Sequence, residues 1–182
     1  MNYKIRSIRA DEWAAAKELR LVALQDPVAH LAFLETYEAA KAQPDSFYQE
    51  RAVGAAEGAE KAQQIIAEGP DGEWVGTVTV LLEEAGTVDW AGFAVDRKQG
   101  HIVGVFVRPE VRGIGLTEVL FDAALEWAWG RGVERVRLIV HEDNERARRF
   151  YGKVGFVPTG VVVPLSGDAA DERELEMAFE RP

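Results

Sequence analysis

Two glycines follow an arginine between an apolar run and a long amphipathic segment, in VFVRPEVRGIGLTEVLFDAAL (residues 105–125). A glycine in the first turn of a helix costs about 1 kcal/mol relative to alanine, so Gly113 and Gly115 indicate a backbone that must stay bare. A helix start exposes unpaired N–H groups and the positive end of the helix dipole, which together bind anions. Arg112 adds a positive charge at the same place. The segment therefore predicts a cradle for a pyrophosphate group, or else a tight strand-to-helix turn without a ligand.

Other phosphate-binding loops fit this stretch poorly. It lacks the lysine and the hydroxyl residue of a Gly-x-x-x-x-Gly-Lys-Ser/Thr loop, so a nucleotide site of that kind is not expected. Glu118 stands where a Gly-x-Gly-x-x-Gly motif would have its third glycine. The segment also does not follow the first strand of the chain, as a dinucleotide-binding fold usually requires.

The elements around this segment predict a mixed α/β fold. Apolar runs at residues 101–107 and 135–140 predict two strands, and the amphipathic helix between them completes a parallel strand–helix–strand unit. Asn144 is placed to begin a second helix, which Gly155 ends. Further strands are predicted at residues 3–9, 63–68, 73–82, 156–163 and 174–179.

The first half of the chain gives weaker patterns. Asp11 is placed to cap a first helix and Ser46 a later one, with a short helix predicted around residues 32–40. The sequence GPDG (residues 69–72) predicts a hairpin turn. Residues 83–100 are predicted only to be a long, polar connection with several glycines.

Composition narrows the possible functions. The chain has 182 residues, near the size of one domain, and is 47% hydrophobic with no run long enough to span a bilayer. It has no cysteine, which excludes disulfides, thiolate zinc sites and a cysteine nucleophile. The formal net charge of −10 disfavours nucleic acid as a partner and would attract a cationic amine, although solubility alone also explains it. Because the N-terminal stretch lacks the apolar core of a signal peptide, we expect a cytoplasmic location.

Two blocks of the sequence together resemble the acetyl-CoA-binding region of the GNAT family of N-acetyltransferases. In the family's first pattern, Arg/Gln-x-x-Gly-x-Gly/Ala, Arg112 and Gly115 match the first and fourth positions. Thr117 replaces the small sixth residue, and its branched Cβ narrows the approach to its N–H. The second pattern, N-x-x-A-x-x-x-Y-x-x-x-G-F, is matched by Asn144, Ala147, Tyr151, Gly155 and Phe156.

The resemblance implies a single domain over residues 1–182 with the GNAT-type acyl-CoA N-acyltransferase fold, a central mixed sheet of about six to seven strands flanked by helices. In this family a parallel pair of strands splays apart and holds the pantetheine arm of acetyl-CoA, without a metal. The N–H of Val105 would then polarise the thioester carbonyl. The residues that the resemblance implies for cofactor binding are Val105, Phe106, Val107, Arg112, Gly113, Ile114, Gly115, Leu116, Thr117, Asn144 and Tyr151.

The implied reaction is acetyl transfer to a primary amine of a small molecule or peptide, by direct attack in a ternary complex. Tyr151 matches the family's general acid, although a tyrosine on an apolar helix face can equally be a core residue. The alternative is an acyl-CoA sensor of the same fold without turnover, and the presence of Tyr151 favours the enzyme. The resemblance is also compatible with a homodimer.

The sequence leaves the general base open. His101 heads the predicted cofactor strand in phase with Val105, and a histidine pKa near ~6.5 suits proton transfer. A surface histidine at a strand start would have the same pattern. His141, at the end of the neighbouring predicted strand, competes for the role. Glu35 and Glu38 are candidates for holding a cationic amine.

Overall fold

The computed structural model describes residues 2–89, 92–164 and 172–182 of the chain. The strands are β1 (Lys4–Ser7), β2 (Ala62–Glu68), β3 (Trp74–Glu83), β4 (Gln99–Val107), β5 (Arg135–His141), β6 (Val157–Pro164) and β7 (Arg173–Glu180). The α-helices are α1 (Trp13–Leu24), α2 (Ala29–Ala32), α3 (Tyr37–Ala42), α4 (Asp45–Ala55), α5 (Leu116–Gly130) and α6 (Glu145–Val154). The strands form a 7-stranded sheet in the order β1-β2-β3-β4-β5-β7-β6. The predicted mixed sheet flanked by helices is therefore confirmed.

Strands β4 and β5 are the parallel pair at the centre of this sheet. Their pairing begins at Gly100↔Val136 and ends at Ile102↔Leu138, although both strands continue beyond these residues. The other neighbouring pairs of described strands are antiparallel. After Ile102, β4 and β5 separate. This is the splay that the family resemblance implies.

A β-bulge bends β4 where the separation starts. Thr79 of β3 pairs with Val103 and Thr77 pairs with Phe106, so Gly104 and Val105 together face one residue of β3. Gly104 has a φ of +63°, a left-handed conformation that residues with a Cβ atom rarely adopt. The extra residue lets β4 keep its pairing with β3 while it turns away from β5.

Helices cover both faces of the sheet. Leu120 and Phe121 of α5 pack against the central strands in the larger buried cluster. Leu19 of α1 and Ala52 of α4 belong to a smaller cluster on the other face. Helix α6 packs beside α5, since the ring of Tyr151 stacks on that of Phe121 at 5.6 Å between centroids. Within the described ranges, no helix has the length and apolar character needed to cross a membrane.

Local boundaries in the first half differ from the sequence predictions. Asp11 lies in a short 3-10 helix (Ala10–Glu12) and does not cap α1. The helix predicted around residues 32–40 is wrong, because the chain extends at Phe33 and restarts at Thr36, whose Oγ1 accepts the N–H of Ala39 at 3.1 Å. Pro44, not Ser46, occupies the position before α4.

The connection that the sequence left unassigned is shorter than predicted. Strand β3 continues to Glu83 and β4 already begins at Gln99. Between them, Val88 and Ala94 form an isolated antiparallel bridge. Residues 90 and 91 of this connection lie outside the described residues, as do residues 165–171 between β6 and β7.

Candidate active site

A cavity of about 410 Å³ lies between β4, the start of α5 and α6. We call it the first cavity. Ile114 does not line it, and its side chain is 45% exposed. The other residues predicted for cofactor binding all line its wall: Val105, Phe106, Val107, Arg112, Gly113, Gly115, Leu116, Thr117, Asn144 and Tyr151.

The glycine-rich turn before α5 is required by backbone conformation. Gly113 and Gly115 have φ values of +80° and +84°, and Gly115 is the residue that precedes α5. A Cβ atom added at either glycine would meet no atom within 4 Å, so crowding by the protein itself is not the reason for glycine. The turn thus borders open space at the start of α5. The geometry of the segment is therefore compatible both with a tight strand-to-helix turn and with an anion-binding site.

Arg112 is held in the wall of the first cavity by two hydrogen bonds. Its Nη2 donates to Asp26 Oδ2 at 2.8 Å and its Nε donates to the carbonyl of Val107 at 2.8 Å. Burial acts to raise the pKa of Asp26, but the hydrogen bonds from Arg112 and from the N–H of Val28 outweigh it and hold this pKa below its usual value. Asp26 is therefore ionised and neutralises part of the charge of Arg112. No sequence motif marks Asp26 as a site residue.

Further cations line the first cavity. Arg146 and Lys153 of α6 reach its wall, and Lys153 Nζ lies 3.5 Å from Glu118 Oε1. With Arg112, the wall carries more positive than negative side chains, in a chain whose net charge is −10. This local excess favours an anionic ligand.

A second cavity, of about 310 Å³, opens where β4 and β5 separate. It shares part of its wall with the first cavity, so the two meet inside the splay. We call this shared wall the junction. Its residues are Ala32, Phe33, Val105, Asn144 and Tyr151.

Tyr151 lines the junction, and no described residue hydrogen-bonds its hydroxyl. Its ring packs against Phe121 and Phe156. Burial, together with the negative charge of Glu174, raises the pKa of Tyr151 to about 12. At neutral pH the phenol is therefore protonated and has a proton to donate.

Asn144 has a structural role at the same place. Its Oδ1 accepts the N–H of Ala147 at 3.3 Å and so caps α6, and its Nδ2 donates to the carbonyl of Leu31 at 3.5 Å. These contacts connect α6 to α2 across the junction. The capping role is what a helix-starting asparagine predicts, and the cofactor contact implied by the resemblance stays a prediction.

His101 lines the second cavity and is buried, at 2% exposure. Its Nδ1 lies 3.3 Å from Glu83 Oε2, and its Nε2 has no hydrogen-bond partner among the described residues. Burial acts to raise the pKa of Glu83, but the hydrogen bonds from His101 and Arg137 outweigh it and hold this pKa far below its usual range. An ionised carboxylate thus orients the imidazole. His101 is not the surface histidine that a strand start alone would suggest.

Of the other candidates, Glu35 lines the second cavity, whereas His141 and Glu38 do not. His141 is 1% exposed, and its Nδ1 accepts the N–H of Asp143 at 3.0 Å. His141 lines neither the first nor the second cavity. Glu35 does line the second cavity, but its Oε1 accepts a hydrogen bond from Arg20 Nε at 3.0 Å. Glu38 is exposed and outside these cavities.

Glu174 of β7 is a buried carboxyl group that sequence reasoning missed. It lines the second cavity with Tyr151, and it is paired across the sheet with His141. Burial and the nearby charge of Glu172 raise its pKa to about 7, although His141 acts to lower it. No motif marks Glu174, because only the pairing of β7 with β5 brings it to the splay.

A third cavity, of about 350 Å³, lies between α1, α4 and strands β2 to β4. It shares a second wall with the second cavity, so the two cavities are neighbours. The residues of this wall are Arg20, Phe33, Arg51, Val103 and Gly104. Nowhere in the described residues do three His, Cys, Asp or Glu side chains meet as metal ligands.

Comparison with protein families gives the class. The family model described as "Acetyltransferase (GNAT) family" matches residues 13–156, most of the chain. The protein belongs to this family.

Individual relatives match over shorter stretches. A mycothiol acetyltransferase of Beutenbergia cavernae is 42% identical over 66 residues, 36% of this chain and 22% of that protein. An uncharacterized N-acetyltransferase of Archaeoglobus fulgidus is 41% identical over 81 residues, 44% of this chain and 51% of that protein. The chain thus spans about a fifth to a half of the length of these curated relatives.

Solved structures match over nearly the whole chain. The crystal structure of the PaiA N-acetyltransferase of Thermoplasma acidophilum in complex with coenzyme A superposes with a TM-score of 0.71 and 15% identity. The match covers 99% of each chain. At this identity the likeness shows the GNAT fold.

Proposed function

We propose that the protein transfers the acetyl group of acetyl-CoA to a primary amine of a small molecule or peptide, by direct attack in a ternary complex. One observation carries this proposal. The first cavity, with its glycine turn, and the second cavity, at the splay of β4 and β5, share a wall that includes Val105 and Tyr151. A cofactor in the first cavity and an amine in the second can therefore meet beside Tyr151.

The first cavity fits the cofactor's anionic groups. The backbone at Gly113 and Gly115 borders open space at the start of α5, and the unpaired first-turn N–H groups of a helix bind phosphates. Arg112, Arg146 and Lys153 supply positive charge to the same wall. Bound acetyl-CoA would supply a thioester whose acyl carbon takes the amine and whose thiolate leaves. The N–H of Val105, on the bulge at the junction, is our candidate for polarising the carbonyl.

Two side chains at the second cavity can move the protons. Tyr151 is protonated at neutral pH and can give its proton to the departing sulfur. His101 has a free Nε2 and an ionised partner on Nδ1, so it can accept a proton from the incoming ammonium. An amine with the ~10.4 pKa of lysine arrives protonated and needs such a base.

The decisive experiment measures free thiol released from acetyl-CoA in the presence of polyamines, amino acids, aminoglycosides and peptides. We expect at least one class to accelerate thiol release well above the amine-free rate. A protein that is stabilised by CoA but releases thiol with none of these amines would be an acyl-CoA sensor instead.

His101→Gln tests the assignment of the base. We expect kcat to fall by roughly 10²-fold with little change in either KM, because the variant loses proton transfer and keeps a polar side chain. The pH profile should also lose its acid limb. His30→Gln, at an exposed histidine outside the cavities, is the matched control. An unchanged acid limb in His101→Gln would assign the base to another group.

We further propose that the 182 residues act as one domain in the cytoplasm, without nucleic acid or membrane partners. The single sheet that contains all the described strands supports one domain, and the net charge of −10 supports the lack of nucleic acid. A homodimer is possible for this fold, and light scattering of the purified chain decides it.

A further inference from the structure

The third cavity has an unusual charge for this protein. The chain carries 31 acidic and 21 basic residues, yet the charged side chains that line this cavity are two arginines, Arg20 and Arg51. No described acidic residue lines it. A cationic amine alone would be repelled by such a wall, so the cavity contradicts the simplest reading of the net charge.

Arg20 has unused hydrogen-bond donors. Its Nε donates to Glu35 at 3.0 Å, and its Cζ lies 4.6 Å from the centroid of the Phe33 ring. Its two terminal nitrogens have no acceptor among the described residues. Burial lowers the pKa of Arg20, and the positive charge of Arg51 adds to this, against the effect of Glu35. The positive charge of the Arg20 guanidinium is thus only partly balanced by Glu35.

Arg51 has no acceptor at all in the described part of the chain. Its one recorded contact is with the ring of Phe47, whose centroid lies 5.2 Å from its Cζ. Its side chain is exposed, and it lines both the second and the third cavity. Two guanidinium groups with free donors therefore lie on the wall that these cavities share.

The rest of this shared wall leads to the reacting centre. Gly104 belongs to it and forms the bulge next to Val105, and His101 lines the same second cavity. Because Arg20, Arg51 and His101 all line the second cavity, a ligand whose anionic end is held by the arginines can extend toward His101. A carboxylate matches the planar fork of a guanidinium, and it is the anionic group most often carried by small amines that could fill a cavity of this size.

We propose that the acceptor is a small amine that also carries a carboxylate, and that Arg20 and Arg51 bind this carboxylate in the third cavity. This inference rests on the proposed function and specifies its substrate class. Glu35 then acts as a positioning residue that holds Arg20 against Phe33, and it does not hold the amine. The size of the cavity, about 350 Å³, is in the range of small-molecule sites.

The test compares acceptors in pairs that differ in one charge. Each L-amino acid, β-alanine and 4-aminobutyrate is assayed by thiol release against its own primary amide, with tripeptides as a third arm. We expect kcat/KM to be about 10-fold or more higher for the best carboxylate than for its amide, the usual effect of a charge-assisted hydrogen bond. Equal values, or a preference for the tripeptides, would overturn the inference and leave the proposed acetyl transfer intact.

The arginines are then changed one at a time. Arg51→Gln removes an exposed guanidinium that has no hydrogen-bond acceptor among the described residues, so the variant should fold normally. We expect about a 10-fold higher KM for the carboxylate, with the amide and acetyl-CoA little changed. Arg20→Gln should act in the same direction, and Arg20→Lys should restore part of the binding. Arg181→Gln, at an exposed residue outside the cavities, is the charge-matched control. An unchanged ratio between carboxylate and amide in Arg51→Gln would overturn the assignment.

A binding measurement separates this inference from the question of turnover. Ligand-observed NMR on the protein with CoA uses the same acid and amide pairs. We expect a signal for the carboxylate partner that Arg51→Gln weakens. If no acceptor accelerates thiol release, the proposed acetyl transfer is overturned. The NMR signal of the carboxylate ligand still decides whether the arginines bind carboxylates. Equal signals for acid and amide would overturn the inference.

Discussion

The first and third cavities are built in different ways. The first is formed mainly by one stretch, residues 105–117, and by α6, and the glycine turn before α5 is part of its wall. The third is assembled from α1, α4 and three strands, and its charge comes from side chains at positions 20 and 51. The proposed cofactor side therefore depends largely on backbone conformation, whereas the proposed acceptor side depends on which side chains the fold brings together.

This difference has a functional consequence. A site made of backbone groups tolerates changes in most side chains, provided that its glycines keep their left-handed conformation. A site made of side chains changes its ligand when one of them is replaced. We therefore expect substitutions in the first cavity to affect acetyl-CoA, those in the third to affect the acceptor, and those at the junction to affect turnover itself.

Tyr151→Phe should have the largest effect, because Tyr151 belongs to the junction between the two sides. Turnover at pH 7 should fall by roughly 10²-fold, the lower end of the range for general acid catalysis. CoA affinity and the acceptor KM should change little, since the ring still packs on Phe121. Thiol release measured from pH 6 to 9 should also show the defect shrinking as the thiolate leaves unaided. A variant with near-normal turnover at pH 7 would make Tyr151 a core residue only.

Arg112→Gln should act on the cofactor side alone. We expect KM for acetyl-CoA to rise about 10-fold, as for loss of a charge-assisted contact, with the acceptor KM unchanged. Asp26→Asn is the informative comparison, because Asp26 binds Arg112 at 2.8 Å and lines the same cavity. If Arg112 contacts the cofactor directly, Asp26→Asn should not weaken binding, since it frees the positive charge. An equal rise of the KM for acetyl-CoA in both variants would mean that the Arg112–Asp26 pair acts by holding the loop before α5 in place.

Glu174→Gln tests the pH dependence that burial gives to the splay. The pKa of Glu174 is raised from 4.5 to about 7, so the folded state holds this proton more tightly than the unfolded chain. Its contribution to stability is therefore complete below about 4.5 and is lost as pH rises through about 7. The variant should gain stability relative to the wild type between pH 4.5 and pH 8, by about 3 kcal/mol.

Urea unfolding of Glu174→Gln and of the wild type at pH 4.5 and at pH 8 measures this gain in the free energy of unfolding. Glu110→Gln, at an exposed residue away from the second cavity, is the control. A difference between variant and wild type that is the same at both pH values would contradict the raised pKa.

Gly113→Ala should have the smallest effect. The added Cβ meets no atom within 4 Å, so the cost is the left-handed φ of +80°, about 1 kcal/mol in the free energy of unfolding. Gly130→Ala, where a Cβ also meets nothing and φ is not positive, is the matched control and should cost nothing. If Gly113→Ala abolished CoA binding while unfolding normally, the cofactor would need the bare backbone at this position as well.

Much of the central region could be predicted from sequence. The strand, glycine turn, helix and next strand at residues 101–140 follow one another locally, and their periodicity reports their own structure. The helices in the first half of the chain could be predicted less accurately. The helix predicted around residues 32–40 is two helices, because a weak apolar period did not reveal the cap at Thr36.

The sequence by itself determined the class of the protein and its cofactor-side motif, because backbone conformation there depends on neighbouring residues such as Gly113 and Gly115. Only the tertiary structure decided which charges face the reacting centre. Glu83 reaches His101 from β3, Glu174 reaches the splay from β7, and Arg20 and Arg51 come from separate helices. Strand pairing and helix packing create these neighbours over long sequence separations, and no local pattern encodes them.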